Sequence, residues 1–344
     1  MIYVGVDLHL RFCYMTALDA SGRVLQHGPV MNQGERLRGY FTGLQSSLKK
    51  EEEPVAVAVE ACGFWAPFVE VVEPLVERVV LVHPARVKAI ASAKLKNDRI
   101  DSATLAHLLR ADLLPEAWKA DRATRDLREV LRLRVALGQQ RTRWKNQVHA
   151  TLHRHGLRPP VTDLFGLAGR AWLATAELRA AAAQVRDTCL RLIDELDQEV
   201  YALDQQLRAQ AHADPDARHL MSIPGIGPFS ALALKAEIGD IHRFGSKRSL
   251  YNYAGLVPVL RQSANRKHTG AITHAGPGTL RWVLNEAALT AVRCSAGARA
   301  YFERLCRRRH PHVARTALAR KLLGAVYFLW KHGVCFDEQV FAAM

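Results

Sequence analysis

Four carboxylates stand where a chain can bring them together. Asp7 follows the apolar run Ile2-Tyr3-Val4-Gly5-Val6, and Glu60 follows Val55-Ala56-Val57-Ala58-Val59. Both runs read as short strands. Asp98 and Asp101 lie in Lys96-Asn97-Asp98-Arg99-Ile100-Asp101 and open a helical stretch that continues to Leu114. A spacing of three sets them on one face of that helix. Hard oxygen ligands in this number suit Mg²⁺ or Mn²⁺. Two such ions about 4 Å apart form a clamp for in-line attack on a phosphodiester. Taken singly, an aspartate after a strand is a turn or cap residue, and Asp98 reads equally as a helix N-cap. The set of four, in this order, is what points to a metal site. His9 has the same strand parity as Asp7 and is expected to stay beside the site without a required role.

The elements that must position these residues are legible in the first 118 residues. Residues 2–8, 12–19 and 23–30 are strand candidates, with Ala20-Ser21-Gly22 as a turn. Residues 35–48 have a helical period. Pro54–Val59 and Val79–His83 read as buried strands, separated by a helix at 64–76. Three strands followed by alternating helix and strand predict a mixed sheet with helices on its faces. This order of strands and acids resembles the ribonuclease-H-like nucleases, the Holliday-junction resolvases in particular. Lys94, Lys96 and Arg99 flank the acids and are candidates for DNA phosphates.

Lys plus Arg number 48 against 33 Asp plus Glu, a net charge of +15 with pI ≈ 9.9. That balance points to a polyanionic partner. No apolar run reaches the ~18 residues of a membrane span, and Asp7 interrupts any leader-like start. The six cysteines are scattered without a CxxC pair. They read as reduced thiols of a cytoplasmic protein.

Residues 122–158 hold ten Lys/Arg and two acids. They predict an amphipathic basic helix ended by Pro159-Pro160, with Arg132, Arg141 and Lys145 as phosphate contacts. A second long helix is expected from about 171 to 211. In it Ile193, Leu196, Val200, Leu203 and Leu207 are spaced as a coiled-coil seam. It closes either on the basic helix or between subunits. Further on, Ile223-Pro224-Gly225-Ile226-Gly227-Pro228 before a helix resembles a helix–hairpin–helix motif, with Gly225 and Gly227 approaching a phosphate. Arg243 to Arg248, with Arg243 and Lys247 as contacts, is a basic loop. A polar, glycine-rich loop follows, from Arg261 to Gly270, and Arg281 lies in the next helix. Ser263 sits among Arg261, Arg266 and Lys267, where cations can stabilise a phosphorane. No base stands beside it, so on residue chemistry alone it is a loop serine.

Taken together, "KNDRIDS", "IPGIG", "EIGDIHRF", "YAGLVP" and the "QS…G-x-I-T-x-x-G-x-x-x-LR" string resemble the DEDD-type insertion-sequence transposases related to the Piv DNA invertases. The resemblance covers nearly the whole chain. It implies a resolvase-like catalytic domain at 1–118 and a basic helix and coiled-coil segment at 119–212. A mainly helical C-terminal transposase domain at 213–344 would carry the serine. It also implies that Asp7, Glu60, Asp98 and Asp101 bind the metal, and that Ser263 forms a covalent phosphoserine where the domains meet. Ser246 and Ser249 are the nearest substitutes. Donor and target DNA, a structured noncoding guide RNA and a homo-oligomer, dimer or tetramer, are the implied partners. A Holliday-junction-type metal-dependent endonuclease and a non-catalytic nucleic-acid-binding protein are the alternative functions.

Overall fold

The computed structural model describes residues 1–47, 53–90, 97–263, 266–273 and 275–343. The chain divides into two compact units, Met1–Lys119 and Ala120–Met344.

In the first unit the elements run β1 (Ile2–Leu8), β2 (Phe12–Leu18), β3 (Val24–Met31), α1 (Gly34–Ser47), β4 (Val55–Glu60), α2 (Trp65–Val72), β5 (Arg78–Val82), α3 (Pro84–Ile90) and α4 (Asp98–Arg110). The sheet order is β3-β2-β1-β4-β5. β1, β2 and β3 pair antiparallel, whereas β4 lies parallel to β1 and β5 parallel to β4. This is the mixed sheet with helices that the strand pattern predicts, and it is consistent with a ribonuclease-H-like architecture.

The two faces of β1 and β4 are buried differently. Val4, Val6, Val57 and Val59 point into a core with Leu37 and Phe41 of α1 and Phe68 and Val72 of α2. Ala56 and Ala58 point the other way, against Leu105 and Leu109 of α4, with Tyr3 at the edge. Burying a leucine stabilises by about 1.5–3 kcal/mol, so these two residues suffice to seat α4. Small residues beneath the helix set how closely it sits. A Cβ on Gly5 would lie 2.0 Å from the Ser102 carbonyl oxygen and 2.4 Å from the Ala106 nitrogen. Only glycine fits there. The buried hydroxyls of Thr16 and Ser102 hydrogen-bond at 2.8 Å across the same contact. Helix α3, which follows directly on Pro84, is not apparent from the sequence pattern.

In the second unit the elements are α5 (Arg122–Arg154), α6 (Leu167–Thr175), α7 (Ala180–Ala213), α8 (Pro215–Met221), α9 (Pro228–Ile238), α10 (Lys247–Ala254), β6 (Pro258–Ser263), β7 (Arg266–Ile272), α11 (Gly278–Cys294), α12 (Ala296–Cys306), α13 (Pro311–His332) and α14 (Glu338–Ala343). Arg134 pairs with Asp204, and seven residues later Arg141 pairs with Asp197, seven residues earlier. α5 and α7 therefore run antiparallel, within one chain. Leu131 and Leu207 belong to a core shared with α9, α11 and α13, while Val148, Leu152, Cys189 and Ile193 form a second one.

Three expectations about this unit are corrected. The helix expected over 171–211 is two helices, α6 and α7. Buried Arg186 donates to the carbonyl oxygens of Leu173 (2.8 Å) and Ala176 (3.4 Å), satisfying the end of α6 where the chain turns. The basic helix ends at Arg154, before Pro159, because Gly156 adopts φ +69°. The expected loop at 261–270 is largely an antiparallel hairpin, in which Ser263 pairs with Arg266 and Arg261 with His268. Its polar residues concealed a strand. No helix among the described residues is long and apolar enough to cross a membrane. All six cysteines are free.

Candidate active site

Parallel pairing places Asp7 beside Glu60. The register of β1 and β4 runs through Gly5↔Ala58 and Val6↔Val59, so these acids are the next residues on each strand. They lie on the face that α4 covers, because side chains alternate. The helix brings the other two. Asp101, Leu105 and Leu109 follow a helical stripe, so the stripe that buries the two leucines carries its acid at the N-terminal end. The N-cap is Asn97, whose side chain accepts from the Ile100 amide at 2.8 Å. Asp98 is thus released from capping.

His9 is the residue that sequence reasoning undervalued. Its Nε2 lies 3.4 Å from Asp7 Oδ2 and 3.5 Å from Asp98 Oδ2. That nitrogen is covered from solvent and has no partner in hydrogen-bonding geometry. The ring stacks on Phe12, with centroids 4.7 Å apart, and the Asn32 side chain holds the His9 carbonyl at 3.1 Å. Ligand atoms of Asp7, His9 and Asp98 all lie within 4.8 Å of one another. The signal was present: two residues along a strand restore the same side.

Burial pushes the Asp7 carboxyl above its ordinary range; His9 opposes this, and the charges of Asp98 and Asp101 add to it. Crowded carboxylates that repel one another, with a nitrogen donor aimed among them, are what a divalent cation relieves. The donor set fits such an ion. Asp7, Asp98 and His9 would hold it, with Glu60 and Asp101 adjoining.

The basic residues divide differently. Lys94 and Lys96 lie outside the described residues, and Arg99 is exposed. Arg141 is committed to Asp197 at 2.6 Å, Arg132 lies 3.9 Å from Glu237, and Lys145 sits 4.9 Å above the Phe165 ring. Arg243 donates twice to the Ile238 carbonyl, at 3.1 and 3.0 Å, and stacks on Phe244 and Tyr253. Arg281 holds the carbonyls of Ala254, Ala275 and Gly276. Lys247 is exposed.

Gly225 adopts φ +89°, and a Cβ there would meet the Ala287 carbonyl oxygen at 2.2 Å, so it packs on α11; Gly227 has open space around it. Ser246 and Ser249 form a capping box at the start of α10. Arg261, Gln262, Ser263, Arg266 and Lys267 have described backbone in the hairpin, while their side chains lie outside the described atoms.

A mixed sheet that gathers carboxylates at one end, in a chain this basic, suits a metal-dependent enzyme with a polyanionic substrate, and comparison with known proteins makes it a DNA transposase. A family model described as "Transposase", of the DEDD type, matches residues 4–156. A second, described as "Transposase IS116/IS110/IS902 family", matches residues 217–303. The chain is 28% identical over 297 residues to a probable family 20 transposase of Pseudomonas aeruginosa, covering 82% of this chain and 86% of that one. It is 26% identical over 288 residues to the transposase for insertion sequence element IS1111A of Coxiella burnetii (82% and 75% covered). It is 25% identical over 357 residues to the transposase for insertion sequence element IS1328 of Yersinia enterocolitica (97% and 98% covered). Together these matches support an IS110/IS116/IS902-type DEDD transposase.

Proposed function

We propose that this transposase cuts and rejoins DNA through a phosphoserine at Ser263, assisted by a divalent ion held among Asp7, Glu60, Asp98 and Asp101, with His9 as a further donor beside Asp7 and Asp98. The observation that carries the metal reading is the convergence of Asp7, His9 and Asp98 ligand atoms within 4.8 Å. Mg²⁺ or Mn²⁺, when bound, supplies electrophilic stabilisation of a phosphodiester oxygen. The chain's own residues supply the rest. The Ser263 hydroxyl oxygen forms a bond to phosphorus, one strand oxygen leaves, and the serine proton ends on that oxygen directly or through solvent. The ester keeps one phosphate linkage for another, so a strand hydroxyl can reverse the step without ATP. Arg261, Arg266 and Lys267, within four residues of Ser263 in sequence, are suited to neutralise the added charge. This reading requires Ser263 and the acids to act on one phosphate.

The domain reading is 1–118 catalytic, 119–212 basic helix and coiled coil, and 213–344 carrying the serine. The finer assignments rest on the family likeness and on the net charge of +15. They are a relation to the Piv invertases, a helix–hairpin–helix contact at Gly227, beside Gly225 that packs on α11, a structured noncoding RNA as guide, and a homo-oligomer holding donor and target DNA.

The test is covalent capture. Protein incubated with donor DNA and Mg²⁺, then denatured, should carry a DNA end on the peptide containing Ser263. Ser263→Ala should lose the adduct and keep DNA binding. An adduct from Ser263→Ala would refute the nucleophile. Cleavage that continues without any adduct would favour direct hydrolysis, as in a junction endonuclease.

A further inference from the structure

A cavity of about 530 Å³ opens among α10, α12 and α13. It falls within the ~300–1,000 Å³ of small-ligand sites. Lys247 and Arg248 reach it from the first turn of α10, and Arg320 and Lys321 from α13. The rings of Tyr251 and Tyr301 lie between them, with the Arg320 guanidinium 6.0 Å from the first and the Lys321 ammonium 4.6 Å from the second. Small residues on α13 make the space. Ala317 lines the wall, and Gly324, one heptad on, lets the Tyr251 hydroxyl lie where a Cβ would be 2.3 Å away.

No acid lines the cavity. Among the described residues, none of its four cations has a carboxylate within 4.0 Å. Burial pushes the Lys321 ammonium below its ordinary range, and the charge of Arg304 adds to that. Elsewhere in this unit Arg134 and Arg141 of α5 are matched by Asp204 and Asp197 of α7. Cations without an acid, set beside aromatic rings, suit a ligand that brings both negative charge and a flat surface.

We propose that this cavity holds one unpaired nucleotide of a single-stranded segment, its base against Tyr251 or Tyr301 and its phosphates between Lys247, Arg248 and Arg320. A paired base cannot enter, because its faces are stacked within the duplex until it is extruded. An extruded or single-stranded base can, and stacking on tyrosine is indifferent to base identity. Pro258 belongs to the cavity wall and begins β6, which ends five residues later at Ser263. At ~3.3 Å per residue, the cavity lies roughly 17 Å along the strand from that serine's backbone. The inference needs only a nucleic-acid partner. It rests neither on the metal site nor on Ser263.

The test uses the full chain with chelator present, so that failure of the metal reading leaves it unaffected. Fluorescent dT15, U15 and a 15-base-pair duplex are titrated by anisotropy. Tyr301→Leu and Arg320→Gln should each weaken single-strand binding by about five- to tenfold, and leave duplex affinity within about twofold. Loss confined to dT15 would make the occupant DNA, and loss confined to U15 would make it RNA. Equal loss for duplex and single strands, or no loss for any, would overturn the proposal. Oligonucleotides carrying 4-thiothymidine or 4-thiouridine, photocrosslinked to the unmodified protein, give an answer free of folding effects. Attachment to the peptides of Tyr251 or Tyr301 is expected; attachment solely outside α10, α12 and α13 would overturn it.

Discussion

Asp7 and Asp214 are the same residue in opposite company. Asp7 sits at a strand end with Asp98 and Asp101, and burial with those charges holds its carboxyl above the ordinary range. Burial also acts to raise Asp214. There the Lys235 ammonium at 2.6 Å and the Ala217 amide at 3.0 Å outweigh it, and the carboxyl falls below the ordinary range. Asp197 and Asp204 of α7 are likewise matched to Arg141 and Arg134. Between α5 and α7 these acids and bases answer one another and hold the helices in register. At the sheet end of the first unit Asp7, Asp98 and Asp101 crowd one another, and among the described residues Asp7 and Asp98 have only His9 as an ion-pair partner. Unmatched charge marks a place for a ligand, and matched charge marks a joint.

The largest effect expected of this contrast is on activity. Asp7→Ala, Glu60→Ala, Asp98→Ala or Asp101→Ala should each cut strand exchange by at least about a thousandfold, the scale of several kcal/mol of lost electrostatic stabilisation. The fold should survive, and Asp7→Asn should raise the thermal midpoint in chelator by relieving repulsion. Ordinary recombination by one of these variants would remove that acid from the site.

A smaller effect belongs to His9. His9→Ala should lower the affinity for Mn²⁺ by at least about 10- to 100-fold, the range seen when even a group supporting a metal ligand is lost. Calorimetry on the protein without DNA measures this directly. Unchanged Mn²⁺ affinity would make His9 a bystander whose proximity is geometric.

The matched pairs should behave differently. A double-mutant cycle on Arg134→Ala and Asp204→Ala should give about 1 kcal/mol of coupling in stability, with recombination unaffected wherever the protein stays folded. Neutralising Arg132, Arg141 and Lys145 together should flatten the salt dependence of DNA binding by less than about 1 in log–log slope, because Arg141 already has a partner. A change of 2–3 would place phosphates on α5 after all.

The smallest effect is a difference in sign with pH. Asp7 binds its proton more tightly folded than unfolded, so its contribution to stability is present in acid. That contribution is lost as pH rises through the folded value. Asp214 does the reverse: its contribution is present above the unfolded value and lost as pH falls through the folded one. Denaturation curves of Asp7→Asn and Asp214→Asn between pH 3 and pH 7, in chelator, should diverge from the parent in opposite directions. Parallel divergence would end the comparison.

Much of this was legible in the sequence, and the limits have physical causes. The five strands of the sheet and α4 are visible because their apolar patterns have the period of their structure. The adjacency of Asp7 and Glu60 follows once β1 and β4 are parallel in register. Charge availability was not legible. The ten basic residues of 122–158 form a conspicuous run, but the α7 partners of two of them, Arg134 and Arg141, lie 70 and 56 residues away along the chain. The hairpin at β6 and β7 was hidden because its residues are polar, and cross-strand pairing leaves little trace in local composition. His9 was seen but not weighed, since a single imidazole gains meaning only from what faces it.

Gly5 has a bearing on inheritance. It carries no charge and no side chain, yet the 2.0 Å a Cβ would have to the Ser102 carbonyl means that its missing side chain sets the gap between β1 and α4. One added methyl would lift the helix that carries Asp98 and Asp101 while leaving every acid in the sequence unchanged. A copy of the element with Gly5→Ala would read as intact by its four carboxylates and be silent in practice. Counting acids is therefore a poor census of which copies can still move.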